Sequence, residues 1–316
     1  MGSHSRNDPG VSASFDILAV GYACVDYITV VDRLPRLDEK MIVGNLLVQG
    51  GGPSATAMVA AARLGARPAL VTSVADDGLG REIIEELTRE GVDSTLSPVR
   101  RGGNSAFAFV MIERHSGLRT IVGRPAVVKK LEPGELPVEA IRRAKVVFVD
   151  GNEPEAQLAA AKIAREAGAP VIFDAGNEKA GMEELLPYTD VLIASRGFGR
   201  DVGGSEDPEK AAAEFFSRGN LSAAAVTAGA EGAYFHTREG AFHQRAFAVK
   251  AVDTTGAGDA FHGGYAYAMA QGWPARKSAE FAAAVAAMKC TKIGGRTGLP
   301  RLAEVEAFLA KRSGRG

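Results

Sequence analysis

The residues best suited to chemistry lie at 252–259, which read VDTTGAGD and run directly into AFHGGYAYAMAQG. Gly256 and Gly258 flank Ala257 at the expected start of a helix, and Asp259 follows at once. The leading N–H groups of a helix lack internal acceptors, and the helix dipole adds partial positive charge at that end. Glycine lets an anion reach the backbone with no Cβ in the way, so Gly256, Ala257 and Gly258 form a candidate anion hole. Asp259 is then placed to accept the proton of an attacking hydroxyl as a general base. An isolated GxGD is more often a plain turn whose aspartate supports a helix start, so the surrounding elements must decide.

Those elements alternate. Residues 15–21, FDILAVG, read as a buried strand ending in glycine, with Asp26 close behind. Residues 27–48 mix β-branched and polar types around Pro35 and suit exposed strands of a small sheet. Gly50, Gly51 and Gly52 read as a glycine-rich loop opening an alanine-rich helix that runs to residue 64. A strand at 68–74 and a helix at 80–91 follow, and strands at 105–112 and 119–122 complete the small sheet around a turn at His115, Ser116 and Gly117. Beyond residue 137 the pattern gives helices at 138–143, 155–167 and 208–217, and strands at 146–150, 170–174, 190–194 and 222–228. A hairpin over GAYFHTREGAFHQRAF and helices at 257–272, 274–289 and 302–311 close the chain. Strands alternating with helices predict a largely parallel sheet covered on both faces.

Composition narrows the partners. With 46% hydrophobic residues in 316, the chain can bury one large core or two modest ones. Its 37 basic and 38 acidic residues nearly cancel, which gives no global field for nucleic acid or anionic lipid and favours a small-molecule partner. Cys24 and Cys290 stand far apart and outside any CxxC pattern, as expected for a reducing, cytoplasmic setting rather than a disulfide framework or zinc cluster. No apolar run approaches the ~20 residues of a membrane span, so no membrane association is expected. Residues 1–14 form a polar leader outside the fold. The Walker pattern GxxxxGK[ST] is missing, and no GxGxxG follows the first strand.

The octapeptide VDTTGAGD resembles the C-terminal signature of the ribokinase/PfkB family of carbohydrate kinases, and the likeness covers the chain after its leader. Asp26 in VGYACVDYI, GGGPSATAMVAAARLGA, TAGAEGAYF and KIGGRTGLP follow in the family's order. The resemblance implies an α/β, ribokinase-like three-layer core with a mainly parallel sheet over 15–26, 51–98 and 126–312, and a small β-sheet lid over 27–50 and 99–125. It implies ATP-dependent phosphorylation of a hydroxyl on a small carbohydrate, with Mg2+ and K+ as cofactors and a homodimer formed through the lid. Asp259 would be the base and Gly256, Ala257 and Gly258 the anion hole; Asp26, Gly51, Gly52 and Thr56 would bind substrate. Thr227, Gly229, Gly232, Ser195 and Gly294 would bind the nucleotide, and Asp253 and Thr255 the monovalent cation.

Two departures bear on specificity. Thr56 stands where most members carry asparagine, and Ser195, Arg196, Gly197 and Phe198 replace the NxxE motif linked to magnesium. In motif detail the chain is most similar to the sulfofructose kinase branch, which would require cations for a sulfonate. Lys40 and Arg124 are the candidates, set against the commoner reading of each as a solvated surface charge. A nucleoside kinase using Tyr22, Tyr27, Phe107 and Phe109, and a sensor that binds without turnover, remain rival readings. His115, His236, His243 and His262 lack metal-ligand spacing and are read as structural.

Overall fold

The structure, a computed structural model, describes residues 14–176 and 181–313. Residues 1–13 of the expected leader therefore lie outside the described residues. The first half contains β1 (Ile17–Val20), β2 (Cys24–Val31), β3 (Leu47–Gly51), α1 (Pro53–Arg63), β4 (Pro68–Val71), β5 (Val74–Ala75), α2 (Gly78–Arg89), β6 (Val99–Arg100), β7 (Phe107–Glu113) and β8 (Arg119–Arg124). The alternating second half follows with α3 (Val138–Arg143), β9 (Val146–Val149), α4 (Pro154–Ala167), β10 (Val171–Ala175), β11 (Val191–Ser195), α5 (Arg196–Asp201) and α6 (Pro208–Ser217). It ends with β12 (Ala223–Thr227), β13 (Ala233–Thr237), β14 (Gly240–Gln244), α7 (Ala257–Ala270), α8 (Ala275–Lys289) and α9 (Leu302–Ser313).

The large sheet has eight strands in the order β14-β13-β12-β11-β10-β9-β1-β4. Its strands pair in parallel from β12 to β4, while β13 and β14 add an antiparallel edge. Side chains alternate across a strand, and the two faces are sorted accordingly. Ile17, Ala19, Val146, Phe148 and Ile193 join α1, α7 and α8 on one side, while Leu18, Val20, Val147, Val149 and Leu192 join α4 and α6 on the other. Near-continuous apolar strands such as VVFV at β9 are what a sheet covered on both faces requires.

The small sheet runs β3-β2-β7-β8, with β2 and β7 parallel and the outer pairs antiparallel. Gly50 and Gly51, expected in a loop, instead finish β3, and α1 begins at Pro53. Proline at the first helical position forfeits no hydrogen bond there. Other elements carried no readable period: the short α5, the paired two-residue strands β5 and β6, and the 3-10 turn Met182–Tyr188. No described helix is long and apolar enough to cross a membrane.

Small residues set the spacing of the helix layer that carries the site. A Cβ on Gly263 of α7 would stand 2.4 Å from the Ala57 carbonyl oxygen and 2.8 Å from Ala60 Cβ, so α1 and α7 touch along their backbones. Gly263→Val should therefore force the helices apart and cost about 1–3 kcal/mol of overpacking. Urea unfolding measures this, and an unchanged midpoint would show that the contact is not tight.

Candidate functional site

Of the predicted residues, Ser195 and Thr227 lie at the C-terminal ends of parallel strands, where ligands bind in open α/β sheets. Gly21 and Tyr22 leave β1, Asp150 leaves β9, Ser195 ends β11 and Thr227 ends β12, with the start of α7 above them. Asp150, which the sequence reading missed, organises the first two. Its Oδ2 accepts from Tyr22 N at 2.8 Å and from the Ser54 hydroxyl at 2.6 Å, and its Oδ1 from Gln157 Nε2 at 2.9 Å. The start of α1 is thereby saturated: Ser54 N, Ala55 N and Thr56 N turn to Asp150, the Tyr22 carbonyl and the Gly52 carbonyl.

The start of α7 is different. Gly256 is its N-cap residue at φ 73, a left-handed conformation suited to glycine, and no side chain caps the helix. Ala257 N and Ala260 N find backbone acceptors, but among the described residues Gly258 N and Asp259 N find none. A Cβ on Gly258 would meet nothing within 4 Å, so this pair of donors opens onto free space. The Asp259 carboxylate beside them accepts no hydrogen bond among the described residues. Burial pushes its carboxyl above the usual range, against the pull of His262, Arg119, Arg296 and Lys289. His262 braces the same turn from below. Its Nδ1 lies 2.7 Å from the Gly258 carbonyl oxygen, and its Nε2 lies 3.1 Å from the Ile193 carbonyl and 3.3 Å from Asp174 Oδ1.

Asp26 sits on β2 within the small sheet, and burial pushes its carboxyl up to about 6, partly offset by the Cys24 thiol and the Arg296 guanidinium. The Cys24 thiol donates to its Oδ1 at 3.3 Å, and the charge of Asp259 adds to the upward push. The glycine run accommodates these charges: a Cβ on Gly51 would stand 2.2 Å from Asp26 Oδ2, and one on Gly50 would stand 2.1 Å from Arg296 Nη1. Gly52 approaches the Tyr22 carbonyl in the same way. Arg296, also missed from sequence, is buried and holds the strand end together. It donates to Thr56 Oγ1 at 3.3 Å, Glu86 Oε1 at 3.1 Å and the Gly51 carbonyl at 3.1 Å. The Thr56 hydroxyl thus faces a guanidinium from within the protein.

At the end of β11, Ser195 Oγ caps α5 by accepting from Phe198 N and donates to the Gly176 carbonyl at 2.6 Å. Thr227 Oγ1 donates to the Ala194 carbonyl, and Gly229 and Gly232 shape a turn at φ 58 and 107. Arg196 pairs with Glu231 across this edge. Gly294 and Thr255 donate their N–H groups to the Asp253 carboxylate at 2.7 and 2.8 Å.

The small sheet approaches the site through the turn between β7 and β8, where a Cβ on Gly117 would stand 3.3 Å from the Val252 carbonyl oxygen. Strand register separates its two faces. Asp26 aligns with Ala108 and Gly123, which places Arg119 on the Asp26 face, and Arg119 donates to Thr254 Oγ1 at 3.2 Å. Arg124 falls on the opposite face with Tyr27, Phe107 and Phe109, 4.9 Å from the Phe107 ring centroid. Those three rings contact one another at 5.4–6.3 Å. Lys40 is exposed in the stretch joining β2 to β3.

A helix start with free donors, a carboxylate beside it and a second carboxylate on the small sheet are set on a ribokinase-like α/β fold. The chain belongs to the pfkB family of carbohydrate kinases: the profile described as "pfkB family carbohydrate kinase" matches residues 14–302. It is 30% identical over 300 residues to an ATP-dependent ribose-1-phosphate kinase of Halopiger xanaduensis, covering 94% of this chain and 98% of that protein. A 5-dehydro-2-deoxygluconokinase of Geobacillus kaustophilus is 29% identical over 317 residues, with 93% of each chain covered. The crystal structure of a putative ribokinase from Agrobacterium tumefaciens superimposes with a TM-score of 0.88 at 29% identity, over 96% of this chain and 100% of that one.

The raised carboxyl of Asp26 makes a pH prediction. Between its ordinary 3.8 and about 6 the folded protein keeps a proton that the unfolded chain releases, so this residue lowers stability as pH rises through that window. Asp26→Asn should flatten the decline and, above pH 7, recover at most about 3 kcal/mol, from roughly two pH units at 1.36 kcal/mol each. Melting the two proteins across pH checks it; parallel curves would mean that Asp26 titrates normally.

Proposed function

We propose that this chain transfers the γ-phosphoryl group of ATP to a hydroxyl of a small carbohydrate. The observation that carries the reading is the pair of unpartnered N–H groups at Gly258 and Asp259 beside an unbonded carboxylate. Asp259 takes the hydroxyl proton as the sugar oxygen forms its bond to the γ-phosphorus, and the bond to the β–γ bridging oxygen breaks to release ADP. The start of α7 stabilises the charge gathering on the transferring phosphoryl group because its donors are fixed and need no reorganisation. Asp26 orients sugar hydroxyls from the facing sheet, and Gly51 and Gly52 let it and Tyr22 approach. Ser195, Thr227, Gly229, Gly232 and Gly294 line the nucleotide's path along the strand ends.

Magnesium, when bound with ATP, would supply neutralisation of the phosphate charge. No group of three or more His, Cys, Asp or Glu gathers as a metal cage among the described residues, and Mg2+ is commonly held by substrate phosphates and water. We assign the lid to residues 27–50 and 99–125, closing over the site to exclude water. Its exposed row Val48, Phe109 and Val122 is the surface on which a second copy would pair. Cys24 and Cys290 are both free and buried, which suits a reducing cytoplasm.

A narrower reading, in which the substrate is sulfofructose or another anionic sugar, is favoured by one feature. Arg119 stands on the Asp26 face beside the catalytic turn, a better placement for an anion than Lys40 or Arg124.

Turnover is tested by ADP release from Mg-ATP across ketoses, pentoses, sugar phosphates, sulfofructose and nucleosides. Asp259→Asn should reduce kcat by about 10²–10⁴-fold while ATP affinity is kept, since shape is nearly constant and basicity is lost. Unchanged turnover would remove Asp259 from the role of base, and ATP binding without turnover on any substrate would favour a sensor. Gly258→Ala should leave the melting temperature unchanged or higher, alanine being the better helix former. Its Cβ should nonetheless obstruct the phosphoryl group, so a normal rate would misplace the anion hole.

A further inference from the structure

Lys289 closes α8, and its side chain is 0% exposed. Lysine is almost never fully buried without a partner. Here Nζ donates to the Asp253 backbone carbonyl at 2.8 Å and lies 3.9 Å from Asp253 Oδ2. The same carboxylate receives Thr255 N on Oδ1 and Gly294 N on Oδ2. An ammonium group therefore ties the loop that leads into α7 to the end of α8, and Gly294 ties the same loop to the segment that follows. Burial draws Lys289 below its ordinary range, and the Asp253 carboxylate works against that shift.

Asp253 and Thr255 are the residues from which a monovalent-cation site was expected, yet the Asp253 oxygens are already engaged by donors of the chain. The backbone oxygen and both carboxylate oxygens of Asp253 already receive donors. Thr255 Oγ1, buried and without a hydrogen-bond partner among the described residues, offers one further oxygen, whereas K+ sheds its water only for a full ring of oxygens. A cation able to balance Asp253 is already supplied by the chain.

We propose that the Lys289 ammonium replaces a bound monovalent cation beneath the anion hole, so that this kinase is built to work without K+. A tethered charge gives the 253–259 loop the attraction that a captured ion would give, with no dependence on ion concentration. Lys289 acts through Asp253 and is a positioning residue rather than a catalytic one.

The experiment compares the native chain, Lys289→Ala and Lys289→Met in choline, potassium and ammonium chlorides, matched at about 0.1 M so that screening is constant. Two quantities are read in each salt, the melting temperature and the affinity for Mg-ATP by calorimetry. The native chain should show the same melting temperature in all salts and affinities that agree within about twofold. Lys289→Ala leaves room for an ion beside Asp253, so it should bind ATP about tenfold more weakly in choline and recover in potassium or ammonium. Lys289→Met fills that room without charge and should stay impaired in every salt.

Potassium stabilisation of the native chain, or tighter ATP binding in its presence, would overturn the proposal. So would a Lys289→Ala protein that matches the native chain in choline, or one whose defect no cation repairs. The affinity arm rests on reading the start of α7 as the phosphate site, but the melting arm does not. A native chain that binds no ATP in any salt would sink that reading and leave the cation inference to the melting data.

Discussion

Every helix that begins inside a protein leaves N–H groups that must be capped or left open, and α1 and α7 meet that constraint in opposite ways. At α1, Asp150 and two backbone carbonyls take the leading donors, so a helix start lying directly under the glycine run carries no free anion site. At α7 the donors of Gly258 and Asp259 stay open, and the space above Gly258 is empty of protein. The second arrangement costs stability, because uncapped donors forgo about 1 kcal/mol of capping energy. The surrounding structure compensates by holding the turn from several sides: His262 of α7 itself, which reaches down to the Ile193 carbonyl of the sheet, Lys289 from the end of α8 through Asp253, and Arg119 from the small sheet.

Several charged side chains near the site are kept from water, among them Asp26, Glu86, Asp253, Lys289 and Arg296. A buried ion is tolerated when it is paired and its remaining hydrogen-bonding groups are satisfied, and Arg296 with Glu86 meets both conditions. The glycines of the first signature make the pairing sterically feasible. Gly50 leaves room for the Arg296 guanidinium and Gly51 for the Asp26 carboxylate, so the run serves side chains of this protein before it serves any ligand. The two carboxylates that face the site are left less well compensated than Glu86, and both are pushed toward the neutral form mainly by burial. For Asp259 in its proposed role as base, a raised pKa would bring its basicity closer to that of the hydroxyl.

Much of this was legible in the chain because the relevant signals are local. The helix starting at Ala257 and the alternation of strands and helices follow from glycine placement and from periods of two and 3.6 residues, whereas the strand carrying Asp26, Cys24–Val31, starts ahead of the exposed strands read from residue 27. The short α5 and the two-residue strands β5 and β6 carried no such period, and Gly50 and Gly51 read as loop because a run of glycines has no intrinsic preference for a strand.

The meetings of charges were a different matter. Arg124 and Arg119 differ by five residues on one strand, so their faces are set by strand parity; which face meets Asp26 depends on pairing with β7 and β2. Arg296 reaches the Gly51 carbonyl across 245 residues, Asp150 reaches Tyr22 across 128, and Lys289 reaches Asp253 across 36. The sequence alone determined most of the elements and the glycine turn that opens α7, since these depend on neighbours along the chain. The tertiary structure alone decided which charge compensates which, since a buried ion finds its partner through the packing of distant segments.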